Sequence, residues 1–344
     1  MNVSFGFRRG LLAGTVLAFG TGAALGQTPG PLPPGDPASI LSIQIENDVI
    51  ARTDRNYTSG IRLGWTSPSV DAGGRDYLPE FLTDLGNKIW GPGRQRLEVD
   101  FSNALYTPKD TLATKPDPKD RPYAGVTLGS VFLLHVGNST SDALGISLGV
   151  LGPSARGENI QNGFHDLIGD QASGGWGHQI RDMPVVQIVM GRTWRYELAS
   201  HADTGIGIDI LPSVTAGAGT LRDYAQVAFQ LRVGQGLRSD FGTSRISPGL
   251  SGADAYTPTR DFVWYFFAGA DGQAIGWDAT LDGSPFRSGP HVSRQPFVAE
   301  FEGGFALIYK GVRLTYTHIA QTTEFYGQRG GLFQFGSLAI STRF

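Results

Sequence analysis

Three short polar clusters interrupt a chain that otherwise alternates apolar and polar residues. Asn47 and Asp48 close one alternating run, and Thr58 and Ser59 open the next. Further on, QNGFH sets Gln161 and His165 four residues apart, on one face of a helix if that stretch is helical. An imidazole can accept a proton near physiological pH, and carboxylate, amide and hydroxyl oxygens can bind a cation or orient a water. Taken singly, an Asn-Asp pair at a strand end is more often a turn, and a loop histidine more often a solvated or structural one. His178 is the nearest rival to His165; His135, His201, His291 and His318 have no comparable neighbours. The absence of cysteine removes thiolate nucleophiles, thiolate metal sites and disulfides. Gly145–Gly149 matches the G-x-S-x-G nucleophile pattern, but it sits inside an alternating run, where the strand-to-helix turn that chemistry requires is missing.

What could position these groups is a set of strands. Leu41, Ile43 and Ile45 alternate with Ser42, Gln44 and Glu46, and the same period recurs through Ile61–Trp65, Leu97–Phe101, Leu144–Val150 and Val227–Val233. Segments near 38–50, 57–67, 95–107, 122–137, 141–152, 183–198, 204–217, 222–235, 261–275, 295–309, 311–324 and 332–344 give about twelve strands. The net charge of −3 offers no basic footprint for nucleic acid, and charged residues at 17% are sparse for a soluble domain. The chain ends LAISTRF, with Leu338, Ile340 and Phe344 on one face and Ala339, Ser341 and Arg343 on the other. A last strand ending in an aromatic carboxyl terminus, with aromatics near many strand ends (Tyr57, Trp65, Tyr106, Tyr123, Trp194, Tyr196, Tyr224, Trp264, Tyr309 and Tyr326), predicts an all-β, antiparallel transmembrane barrel of the outer membrane rather than a secreted sandwich. Residues 1–26 read as a signal peptide, 27–37 as a Pro/Gly linker and 38–344 as the barrel.

An even strand number with both termini in the periplasm sends odd strands outward, so Asn47, Asp48, Thr58 and His165 all fall at the outer rim. Ile160, Phe164, Leu167 and Ile168 at helical spacing predict a short amphipathic helix in the third outer loop. Arg52, Arg55, Lys109, Lys115, Lys119 and Arg121 on two rim loops suit an ordinary solvated face or the phosphates of a lipid headgroup. Glu300 and Glu302 are expected to join a charge network in the lumen. Segments 68–94 and 236–260 fit poorly, being long for periplasmic turns.

IENDV, DRNYTSGIRLGWTS, LYTPKD, KDRPYAG, GVLGPSARGENIQNGFHDLIG, GWGHQI and THIAQTTEFYGQ together resemble the outer-membrane lipid A 3′-O-deacylase family, from about Ser39 to Phe344. The resemblance implies a twelve-stranded barrel in the bacterial outer membrane, acting as a calcium-dependent esterase that removes the 3′-linked acyloxyacyl chain of lipid A. Its catalytic histidine falls on His165, its paired Asn and Asp on Asn47 and Asp48, its second-strand hydroxyl on Thr58 and its helix glutamine on Gln161. The family's loop lysine falls near Ala113, leaving Lys109 or Lys115 to replace it; Arg121 is the third candidate contact to substrate.

That set makes chemical sense as a hydrolase. His165 would deprotonate water, Ca2+ held by oxygens around Asn47 and Asp48 would polarise the carbonyl, and Thr58, expected to face the lumen with Gly60 and Arg62, would orient water or substrate. Ser59, expected on the opposite face, is not placed as a nucleophile. The expected partners are lipid A and outer-membrane lipids, with no nucleic acid, and the chain is expected to be a monomer. The alternative is a non-enzymatic barrel, a small porin or structural protein, which an open polar pore would favour and a blocked lumen would not.

Overall fold

The computed structural model describes residues 35–48, 56–69, 78–169, 171–246 and 254–344. The expected signal peptide, most of the expected linker, Arg52 and Arg55 lie outside them. Strands β1 (Ile40–Asn47), β2 (Asn56–Thr66), β3 (Arg94–Thr107), β4 (Ala124–Val136), β5 (Thr140–Leu151) and β6 (Met183–Trp194) form an antiparallel run. It continues through β7 (Tyr196–Ser200), β8 (Ile206–Gly219), β9 (Arg222–Gln235), β10 (Phe262–Asp278), β11 (Phe297–Tyr309), β12 (Val312–Gln321) and β13 (Phe333–Arg343). β6 and β7 are one strand interrupted at Arg195, and both pair with β8. With β1 paired to β13, this closes a barrel of twelve strands.

The period-two pattern decides which face meets what. Leu338, Ile340 and Phe344 are 41%, 51% and 70% exposed, while Ala339 and Ser341 on the other face are 8% and 1% exposed. An exposed apolar face backed by a buried polar one is the inside-out polarity of a membrane barrel. Ser147 points inward and bonds Ser130, so the G-x-S-x-G match is part of a strand. Four of the aromatics near strand ends do not face lipid: Tyr57 and Tyr123 are buried, and Tyr106 and Tyr224 line a luminal cavity. Long aromatic side chains reach the interior from strand ends as readily as the interface.

Two long connections lie at the end carrying the termini. The first contains helix α1 (Glu80–Trp90). The described parts of the second, residues 236–246 and from 254 on, reach into the lumen rather than lying beneath it. Its Asp240 accepts from Arg232 at 2.6 Å and from the Tyr265 hydroxyl at 2.8 Å. Its Arg245 pairs with Glu300 at 2.7 Å, and its Asp254 takes Arg62 from β2 and, at 3.6 Å, Arg313 from β12. Glu300 and Glu302 thus belong to the interior network expected for them. A charged loop can be buried this way because every strand offers it a polar inner face. A cavity of about 240 Å³ remains between this plug and the opposite wall.

The end of the expected linker is also ordered. Asp36 bridges Ser69 through the backbone and pairs with Arg96 at 2.7 Å and with Arg343. Burial alone would raise its carboxyl, but hydrogen bonds from Arg96, the Ala38 amide and Arg343 outweigh that and hold it below the ordinary range.

Asp254→Ala removes a carboxylate shared by Arg62 and Arg313, leaving them only the longer pairs with Glu98 at 3.4 Å and Asp240 at 3.7 Å. It should destabilise the barrel by about 3–5 kcal/mol, the usual cost of removing one partner of a buried ion pair. The temperature at which the folded band disappears in a heat-modifiability gel measures this, and an unchanged midpoint would show the plug to be incidental.

Candidate active site

Asn47, Thr58 and the outer-loop helix that carries Gln161 and His165 lie on the outer side of the barrel wall, at the rim opposite the termini. The reason is a bulge in β2. Tyr57 pairs with Tyr106 and Ser59 with Leu105, leaving Thr58 as the extra residue. Asn56 takes φ 67°, a left-handed conformation that asparagine tolerates better than most residues. Tyr57 turns inward: its hydroxyl donates to Glu46 at 2.8 Å, and its ring packs on Tyr106 and Phe335. Thr58 is therefore displaced to the outer side, where its hydroxyl lies 2.6 Å from that of Thr107. This corrects the expectation that Thr58 faces the lumen with Gly60 and Arg62. Ser59 is also outward, in one row with Asn47 and Leu105, so its facing does not separate it from the site. Asp48 is fully buried, and its amide donates to the Thr58 carbonyl at 3.2 Å.

Helix α2 (Gly157–Ile168) lies against this wall with its polarity reversed. Gly157, Gln161 and His165, spaced one turn apart, are buried; Ile160, Phe164 and Leu167 are exposed, Leu167 by 81%. A helix that turns its polar face to the protein and its apolar face outward is built for apolar surroundings. Gly157 has no substitute here: a Cβ would sit 2.5 Å from the Trp176 ring and 3.1 Å from Leu105. Gly169, left-handed at φ 76°, ends the helix by donating its N–H to the His165 carbonyl.

The polar face is oriented by two hydrogen bonds. Trp176 Nε1 donates to Gln161 Oε1 at 2.8 Å, which turns the amide so that Nε2, buried and without a hydrogen-bond acceptor among the described residues, is left to donate. His165 Nδ1 lies 2.6 Å from the Gln171 carbonyl. A carbonyl only accepts, so Nδ1 carries the proton, and in the neutral ring Nε2 holds the lone pair of a base. Trp176 packs with Leu105 and Tyr123, joining helix, loop and wall. In the sequence Trp176 stands within GWGH, where its spacing to Gln161 signals nothing by itself.

The second outer loop closes the other side. Gly174 donates to the Thr111 carbonyl at 2.9 Å, and the Tyr123 hydroxyl donates to the same oxygen at 3.0 Å. Lys109 and Lys115 are exposed on this loop. Arg121 is not on the open rim. It is fully buried, paired to Glu324 at 2.6 Å, bonded to Thr280 at 3.1 Å and stacked over Tyr106, tying the loop across the barrel mouth. His178 is exposed.

Among the described residues no three His, Cys, Asp or Glu side chains gather to hold a metal. Asp48 and Asn47, with the adjacent Thr58, present only oxygen donors and one carboxylate. That donor set fits a hard cation such as calcium and not a thiolate- or imidazole-bound metal; one carboxylate also implies modest affinity.

The family described as Outer membrane protein LpxR matches residues 11–344. Among solved structures, LpxR from Salmonella typhimurium superposes with a TM-score of 0.72 at 19% identity, covering 89% of this chain and 100% of that one. The β domain of the Bordetella autotransporter BrkA is a more distant barrel, with a TM-score of 0.42 at 10% identity over 90% of this chain and 98% of that one. No curated protein matches at the level of sequence. With the match spanning nearly its whole length, the chain belongs to the LpxR family of outer-membrane proteins.

Proposed function

We propose that this protein is a calcium-dependent lipid A 3′-O-deacylase acting in the outer leaflet. Family membership supports an outer-membrane lipid A deacylase; the 3′ position and the metal belong to the proposal. The observation that carries it is the His165 ring, held by Gln171 in the tautomer of a general base and buried on one helix face with the Gln161 amide donor. A porin is disfavoured by the polypeptide and ion pairs that occupy the lumen.

In this mechanism His165 Nε2 takes a proton from water as its oxygen attacks the ester carbonyl. The Gln161 Nε2–H donates to the developing oxyanion, and Thr58, braced by Thr107, orients the water or the sugar side of the ester. The bond from the acyl carbon to the sugar oxygen then breaks, and His165 returns its proton to that oxygen. Calcium at Asn47 and Asp48 would supply Lewis-acid polarisation of the carbonyl when bound. Exposed Lys109 and Lys115 are the candidates for phosphate contact on the loop that carries them; the buried Arg121 positions that loop instead.

Mass spectrometry of lipid A from cells expressing the protein tests the activity: the expected product lacks the 3′-linked acyloxyacyl chain. His165→Ala should leave the barrel heat-modifiable and lower deacylation by roughly two to four orders of magnitude, the span for losing a general base, while His178→Ala stays close to wild type. An acyl group trapped on Ser59 or Thr58 would replace the water mechanism with a covalent one. Trp176→Phe removes one hydrogen bond to Gln161, worth about 0.5–1.5 kcal/mol, and should lower kcat roughly three- to tenfold with KM little changed. Activity should vanish on calcium chelation and return with calcium; full turnover in chelator would remove the metal from the scheme.

A further inference from the structure

Helix α1 offers a second apolar surface, at the opposite end of the barrel from the site. Its sequence EFLTDLGNKIW places Phe81, Leu85 and Ile89 one turn apart, and they are 68%, 38% and 42% exposed. Lys88 is exposed beside them on the same arc. The other face is held to the outward side of the wall by polar and small contacts. Gln95 Nε2 donates to the Thr83 carbonyl at 2.9 Å and to Asn87 Oδ1 at 3.0 Å, and Gly86 admits the Gln95 side chain. His135 on β4 contacts the Gly91 carbonyl at 2.9 Å and stacks on Trp90. Gly93 leaves room for that ring, since a Cβ there would lie 2.1 Å from His135 Nε2.

Gln95 and His135 stand at the periplasmic ends of β3 and β4. Along the same outward faces follow Val99, Phe101 and Val131, all exposed to lipid. The apolar stripe of α1 therefore continues the band that already meets hydrocarbon. A short helix pinned by its polar face beside that band, with a lysine among its apolar residues, has the composition of a helix lying in a membrane interface. At 11 residues it is too short to cross.

We infer that α1 is an interfacial helix whose Phe81, Leu85 and Ile89 insert among the phospholipids of the periplasmic leaflet, with Lys88 at their anionic headgroups. It would fix the height of the barrel in the membrane from the side opposite the site. This rests on the barrel fold alone and not on the proposed activity.

The chain has no cysteine, so single substitutions can be spin-labelled without background. Phe81→Cys, Leu85→Cys and Ile89→Cys, with Glu80→Cys as the aqueous reference and Phe101→Cys as the lipid reference, would each be labelled. The full-length mature protein would be reconstituted in vesicles of phosphatidylethanolamine and phosphatidylglycerol. Heat modifiability confirms that each variant is folded. The expected result is several-fold greater accessibility to oxygen than to a water-soluble nickel chelate at positions 81, 85 and 89, at shallower depth than at 101. Nickel accessibility equal to that at Glu80 would overturn the inference. So would protection from both reagents with spin–spin broadening, which would mean that a second copy covers the helix.

Discussion

A strand in hydrocarbon cannot leave its N–H and C=O groups unpaired, because no water is there to take them. For this chain that requirement comes down to one seam. β1 and β13 pair from Ile40↔Arg343 to Asn47↔Gly336, and the reciprocal backbone bonds of Ser39 and Phe344 extend the ladder to the terminus. Beneath it, Asp36 gathers Arg96 and Arg343. Closure sends Leu, Ile, Val and Phe outward and leaves Ser42, Gln44, Glu46, Arg62 and Glu98 within. A barrel with such an interior must be filled or flooded, and here much of it is filled by the chain itself.

The same polarity explains why the site is built on the wall rather than within it. The ester of the proposed lipid substrate would lie outside, where an inward-facing residue cannot reach. One extra residue in β2 swings Thr58 to that side while Tyr57 takes the inner place. Helix α2 then brings Gln161 and His165 down onto the wall and turns Ile160, Phe164 and Leu167 away. Polar chemistry is thereby enclosed between protein surfaces with an apolar exterior, the setting in which oriented hydrogen bonds act most strongly.

Period-two alternation made the strands legible nearly to their ends, because a one-residue error would have reversed every side chain from Leu338 to Phe344. The helix α2 was equally readable, and so was the shared face of Gln161 and His165. Thr58 was not: alternation carries no sign of an inserted residue, and only pairing with β3 reveals it. Arg121 read as a rim cation because its partner Glu324 lies 203 positions away. Phe81, Leu85 and Ile89 did carry a helical period, yet a segment between strands invites a reading as a turn. The plug was illegible for another reason, since its polar composition is that of any loop until the strands it meets are known.

That plug makes assembly of the barrel a matter of order. Asp254 is held at once by Arg62 on β2 and Arg313 on β12, which lie on opposite sides of the seam, while Gln44 on β1 donates to the Ser244 carbonyl at 3.0 Å. A wall that shut before this segment had entered would trap those guanidiniums without their carboxylate. An entered segment, conversely, draws the first and last strands toward each other like the drawstring of a purse. The contacts that fill the lumen thus also span the seam, and the connection that makes them enters from the periplasmic side.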